Sequence, residues 1–288
     1  MPPRNCANGK TFQEAGHEQA RHFCRLSRPW SGGGGSGSFT VWPTLARYHD
    51  DLVLVGGLAI HCLTRQEKNG WPGAVTMDID FGIALATDGG QYGTLQADLN
   101  GLGFKPDKSQ ANRIVRQVDG MALYIDFLTE APSAITGTRI VDDVVASVFP
   151  GINRALASRH MVKLSGHDIY GGLQNCEIAV AGIGPLLVLK LNAFGGPTGR
   201  RHPKDAYDIL LAVTSYTAGP RAAVQAFRDE AFMNNQGFAT AKEALKRDFS
   251  SPHADGPVRA AAFLNGNTEE RQRIREELVT AAKFMLEE

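Results

Sequence analysis

Apolar and polar positions follow two different periods along this chain. Residues 52–57 (LVLVGG) form an unbroken apolar run closed by two glycines, the pattern of a buried strand turning into a helix. Residues 58–66 (LAIHCLTRQ) continue with helical spacing and are stopped by the loop NGWPG at 69–73. Residues 75–85 (VTMDIDFGIAL) alternate with period two, so Val75, Met77, Ile79 and Phe81 share one strand face and Asp78 and Asp80 share the other. Residues 91–102 predict a helix closed by Gly103, and residues 113–118 and 121–129 predict two strands joined at Asp119-Gly120, a hairpin turn signal. The second strand carries Asp126 in YIDFL. After a mixed region, residues 177–180 predict another strand, and from Pro185 helical patterning runs to the end. Strands and helices mix early and helices finish the chain, which defines an α/β (α+β) class.

Residues 1–40 lack apolar periodicity and end in SGGGGSGS at 31–38, a composition that behaves as a flexible linker. The expected organisation is a tail over 1–40, one domain over 41–181 and a helical domain over 182–288. A natural tail, an artificial join and translated sequence upstream of a start near Val41 all fit the first segment. With 288 residues, 43% of them hydrophobic, the rest is long enough to bury a substantial core. Thirty basic residues balance thirty acidic ones, so no global field draws the chain to nucleic acid or an anionic membrane, and any such contact needs a local patch. Cys6, Cys24, Cys62 and Cys176 form no C-x-x-C pair, which points away from a zinc site or disulfide framework and toward a reducing compartment. No apolar run approaches a signal peptide or a membrane span, and the expectation is a soluble, unexported, cytoplasmic protein.

The candidate chemistry lies on the polar strand faces. An alternating strand often shows acids to water, but here Asp78 and Asp80 share a face and Asp126 stands in a similarly patterned strand. Three carboxylates on neighbouring strands repel one another unless a cation neutralises them. Two divalent ions so held suit an in-line phosphoryl or nucleotidyl displacement, with Asp126 as general base or second-metal ligand. Gly56 and Gly57 make either a plain tight turn or a phosphate cradle, where free helix N–H groups meet a triphosphate and no side chain holds it away. Lys190, inside the apolar helix GPLLVLKLNAF, either extends to the surface or serves as a cation for a triphosphate. Arg200, Arg201, His202 and Lys204 then cluster ahead of KDAYDILL, whose Asp205 and Asp208 share a helix face. These acids either favour a helix N-terminus or orient Lys190 or Lys204, while Arg200 and Arg201 meet an anionic substrate.

The ordered set GGLA at 56–59, TMDID at 76–80, Asp126 in YIDFL, Lys190 in LLVLKLNAF and KDAYD at 204–208 resembles the AbiEii-like nucleotidyltransferase toxin family, of the polymerase-beta-type nucleotidyltransferase superfamily. The resemblance implies a nucleotidyltransferase fold: a mixed sheet flanked by helices, with a helical C-terminal region. It implies an NTP such as ATP as substrate and two magnesium ions on Asp78, Asp80 and Asp126. Gly56, Gly57 and Thr76 would border the nucleotide, with Lys190, Lys204 and Asp208 as the later functional positions. By the same resemblance the acceptor would be RNA, such as a tRNA 3′ end, and the partner a cognate antitoxin. Leu58 stands where many relatives carry Ser or Thr, and Ala74 where many carry an arginine, with Arg65 further upstream. Transfer to a small antibiotic-type molecule would share the site but need an acidic acceptor pocket, and a non-catalytic nucleotide-binding module would keep the fold without turnover.

Overall fold

The computed structural model describes residues 33–64, 76, 78–84, 94–131, 136–141, 143–264 and 266–287. The 69–73 loop, Arg65, Ala74, Cys6 and Cys24 lie outside them. At the centre is a mixed sheet whose apolar strands are covered on both faces. Its strands are β1 (Leu52–Val55), β2 (Asp78–Ile83), β3 (Lys105–Pro106), β4 (Arg113–Val118), β5 (Met121–Thr129), β6 (Thr138–Val141), β7 (Val144–Val148), β8 (Arg159–His167) and β9 (Leu173–Ala181). The order across it is β3-β4-β5-β2-β1-β9-β8, and β7, paired with β6, joins β5 where β4 has ended. β2 runs parallel to β5 and antiparallel to β1, and β1 pairs in parallel with β9.

The hairpin predicted at Asp119-Gly120 is present, with Val118 paired to Met121 and both turn residues at positive φ (49° and 79°). Strand β2 keeps the predicted alternation. Ile79, Phe81 and Ile83 are buried on one face, where Phe81 stacks between Trp42 and Phe127 with ring centroids 6.0 and 6.1 Å away. Asp78, Asp80 and Gly82 occupy the other.

The face carrying Phe81 is covered by α1 (Gly33–Thr44), and this corrects the expectation of a linker ending at residue 40. Phe39, Val41 and Trp42 are buried there, and the Trp42 indole donates to the Glu177 carbonyl at 2.8 Å. Small residues serve close approach: a Cβ at Gly37 would sit 2.9 Å from Ile79 Cδ1. Burial of the apolar face outweighs the poor helix propensity of this glycine- and serine-rich stretch.

On the opposite face lie α2 (Gly56–Leu63) and α4 (Ile152–Ala157), while α3 (Leu95–Gly101) leads into the β3–β4 edge. After β9 the chain continues as α5 (Ile183–Gly195), α6 (Pro203–Thr214), α7 (Pro220–Asp229), α8 (Phe238–Asp248), α9 (Asp255–Phe263) and α10 (Thr268–Leu286), the helical C-terminal region that the patterning predicts. Helix α5 is buried nearly all round and packs against α2, α6, α7 and α8. It joins the sheet to the helical region. No helix among the described residues is long and apolar enough to cross a membrane.

Candidate active site

Cross-strand register assembles the acids. Arg113, Asp126, Asp80 and Val55 are successive partners across β4, β5, β2 and β1. Directly paired residues project to the same face, so Arg113, Asp126 and Asp80 form one row, with Asp78 two residues along β2 on that face. Asp78 and Asp126 keep 39% and 15% of their side-chain surface exposed, so these two acids stand at the sheet surface. Asp80 is pushed up to about 6, first by burial and then by the charges of Asp126 and Asp78, against the opposing pull of Lys190 and Lys204.

Val55, at the end of β1, leads straight into Gly56 and Gly57 at the start of α2. Gly56 has φ +69°, and a Cβ there would fall 1.9 Å from Asp80 Oδ2. Glycine is therefore required twice, by backbone conformation and by the carboxylate lying over it. A Cβ at Gly57 would meet Lys204 Nζ at 2.8 Å and Thr76 at 3.4 Å, so an ammonium group and the start of α2 share one space. Thr76 Oγ1 accepts from the Asp78 backbone N–H at 3.2 Å, fixing the entry into β2.

Lys204 belongs to a charge cluster built by α5 and α6. Helix α6 starts sharply because His202 caps it, accepting from the Lys204 N–H, and Pro203 occupies its first turn. This start puts Lys204 and Asp208 one turn apart, with Nζ donating to Asp208 Oδ2 at 2.9 Å. Lys190 projects from α5 and donates to Asp208 Oδ2 at 2.6 Å and to Asp205 Oδ1 at 3.1 Å. It does not extend to solvent: 7% of the residue is exposed. Burial favours its neutral form, but Asp208, Asp205 and Asp80 outweigh this and hold its pKa above the ordinary lysine value. Asp205 is raised by burial yet driven net down to about 2 by Lys190 and Arg200. Arg200 completes the cluster, its Nε 3.0 Å from Asp205 Oδ2 and its side chain 68% exposed.

The structure thus brings together Gly56, Gly57, Thr76, Asp78, Asp80, Asp126, Lys190, Lys204 and Asp208, with Arg200 at the border. It does not bring Arg201 there. Arg201 turns toward the C-terminal helices and pairs with Asp248 and Asp255, so both of its anionic contacts are internal. Sequence reasoning assigned no role to Arg113, whose Nε and Nη2 reach Asp126 Oδ1 and Oδ2 at 3.0 and 2.5 Å. The two-residue turn was the available signal, because pairing 118 with 121 carries the register down to 113 with 126.

Two expectations follow from this packing. Gly56→Ala should lose at least ~1–2 kcal/mol for the left-handed backbone alone, with Asp80 displaced in addition. A lowered Tm with changed Asp80 chemical shifts would check it. For Asp80, the folded protein binds its proton more tightly than the unfolded chain, so stability falls as pH rises from the ordinary carboxylate range through about 6. The full cost, up to about 3 kcal/mol, is present above that value. Asp80→Asn should therefore raise the Tm of chelator-treated protein at neutral pH. At pH below the ordinary carboxylate range the gain should vanish.

No protein-family model and no curated protein matches the chain. Among solved structures, the antibiotic-resistance factor ANT(2'')-Ia is 15% identical over 68% of this chain and 91% of its own, with a TM-score of 0.35. An antigenic nucleotidyltransferase-like protein from Paracoccidioides brasiliensis is 15% identical over 70% of this chain and 92% of its own, at a TM-score of 0.29. The CD-NTase CdnG of Bradyrhizobium diazoefficiens, solved in complex with GTP, is 13% identical over 88% of this chain and 87% of its own, also at 0.29. Superpositions this loose assign neither fold family nor activity to the chain.

Proposed function

We propose that this protein is a magnesium-dependent nucleotidyltransferase that moves an NMP group from an NTP, such as ATP, to a hydroxyl acceptor. The observation that carries this is the convergence of Asp78, Asp80 and Asp126 on one sheet face beside the Gly56-Gly57 turn and Lys204. Among the described residues no group of His, Cys, Asp and Glu is already gathered in ligating geometry. The donor set nevertheless fits magnesium: the donors are carboxylate oxygens, and burial among like charges leaves Asp80 short of positive charge. Asp78 and Asp80 would hold the ion, which when bound would offset charge on the phosphate oxygens and ease ionisation of the acceptor hydroxyl.

The remaining roles belong to the chain's own groups. The backbone N–H groups that open α2 bind the triphosphate at the turn they share with Lys204 Nζ. Lys204 Nζ, already at that turn, donates to a phosphate oxygen. Lys190 and Asp208 are positioning residues: Asp208 Oδ2 holds both ammonium groups, so the pair sets where Lys204 stands. Asp126 orients the acceptor hydroxyl through a remaining lone pair. The hydroxyl oxygen bonds to the α-phosphorus, the bond from that phosphorus to the bridging oxygen breaks, pyrophosphate leaves, and the hydroxyl proton passes to water.

For the acceptor, the resemblance to AbiEii-like toxins supports RNA, such as a tRNA 3′ end, in a cell that also makes a cognate antitoxin. Arg200, exposed beside the acids, supports an anionic acceptor of this kind. Incubation with magnesium, each α-labelled NTP and total tRNA should label the RNA. Label on a small cationic hydroxyl compound instead would make it an antibiotic-type enzyme, and NTP binding without transfer to any acceptor would leave a nucleotide-binding module.

A further inference from the structure

Beside the third acid the chain already carries a cation. Arg113 lies directly opposite Asp126 in the β4–β5 ladder, and its guanidinium forks onto the carboxylate, Nε to Oδ1 and Nη2 to Oδ2. The same Nη2 stands 3.9 Å from Asp78 Oδ2. Its position is fixed from a further side: the guanidinium carbon lies 4.6 Å from the centre of the Tyr124 ring, and Tyr124 is the β5 residue paired with Asp78. With 22% of its side chain exposed, Arg113 is held among Asp126, Asp78 and Tyr124 rather than extended into solvent. A planar fork on both carboxylate oxygens is the strongest form of such a pair.

We infer that Arg113 is the resident cation of Asp126, taking the place of one of the two divalent ions expected from the acids alone, so that without nucleotide the site accepts a single divalent ion on Asp78 and Asp80. This rests on the nucleotidyltransferase reading of the acids and deepens it. Both Asp126 oxygens are engaged by a donor that carries a permanent charge. An ion bridging Asp126 would have to displace the fork and stand beside the guanidinium, where like charges repel. Among the described residues Asp80 has no such fork. Its cationic neighbours, Lys190 and Lys204, are committed to Asp208. The positive charge missing at the row is therefore on the Asp80 side.

The test counts ions rather than turnover. Mn2+ binding to the full chain, free of nucleotide, is followed by the loss of its free-ion electron spin resonance signal, with circular dichroism to verify the fold. Wild type should bind one Mn2+ per chain, Arg113→Gln should gain a second, and Arg113→Lys, which keeps the charge, should remain at one. Two ions in wild type, or one in both wild type and a folded Arg113→Gln, would overturn the inference while leaving a metal-binding site. No ion in either protein would overturn the metal-dependent reading along with it. If Arg113→Gln does not fold, the wild-type count decides between one ion and two.

Discussion

Asp80→Ala should abolish nucleotidyl transfer and leave the fold intact. Asp80 lies at the middle of the row, beside Asp126, two residues from Asp78 and over Gly56. Its loss removes a carboxylate on which the proposed ion depends. Activity should drop by at least ~10³-fold, the upper end of what removal of one electrostatic stabiliser costs. Stability should move the other way, because burial and two like charges disfavour the ionised carboxylate. A variant that is inactive and at least as stable as wild type separates a catalytic role from a structural one. Wild-type-like transfer would exclude Asp80 from the chemistry.

The second large effect is expected at Lys190. Its ammonium lies between Asp205 and Asp208, which are 1% and 0% exposed, and Asp208 Oδ1 has no hydrogen-bond partner among the described residues. Lys190→Met keeps the volume and removes the charge. Breaking a buried pair by deleting one partner costs about 3–5 kcal/mol, because the other charge stays buried. Lys204 and Arg200 still face the two acids, so the lower end is expected, a fall in Tm of roughly 6–12 °C. Adding Asp205→Asn should restore part of it, since the two sites share one charge network. Calorimetry on the single and double variants checks this, and an unchanged Tm for Lys190→Met would show the cluster to be dispensable for the fold.

How much was legible in the sequence depended on whether a feature is local. Alternation over 75–85 is local, and it correctly set Asp78 and Asp80 on the face opposite Phe81. The hairpin was legible because Asp-Gly supplies the positive φ that its turn requires. The same turn set the Arg113–Asp126 register, but a pairing across thirteen residues shows only when the ladder is counted back from the turn. Helix α1 was illegible for the opposite reason. Its glycines look like a linker in composition, and their use appears only when Gly37 meets Ile79, a contact that no local pattern encodes. Strand β8 was missed within the mixed region because it is a largely exposed edge strand, RHMVKLSGH, with little apolar alternation. The KDAYD segment was legible as a helix start with two acids on one face. That Asp208 serves both Lys190 and Lys204 follows from the packing of α5 against α6, which periodicity does not reveal.

The central claim is that this carboxylate row transfers a nucleotidyl group, and it is tested most directly by following the two ends of the triphosphate separately. Purified protein would be incubated with magnesium, total tRNA and an NTP labelled at either the α- or the γ-phosphate, with Asp80→Ala alongside. The α-label should appear on the acceptor and the γ-label in pyrophosphate, both lost in the variant. Label from the γ-phosphate on the acceptor, or α-label transfer that persists without Asp80, would contradict it.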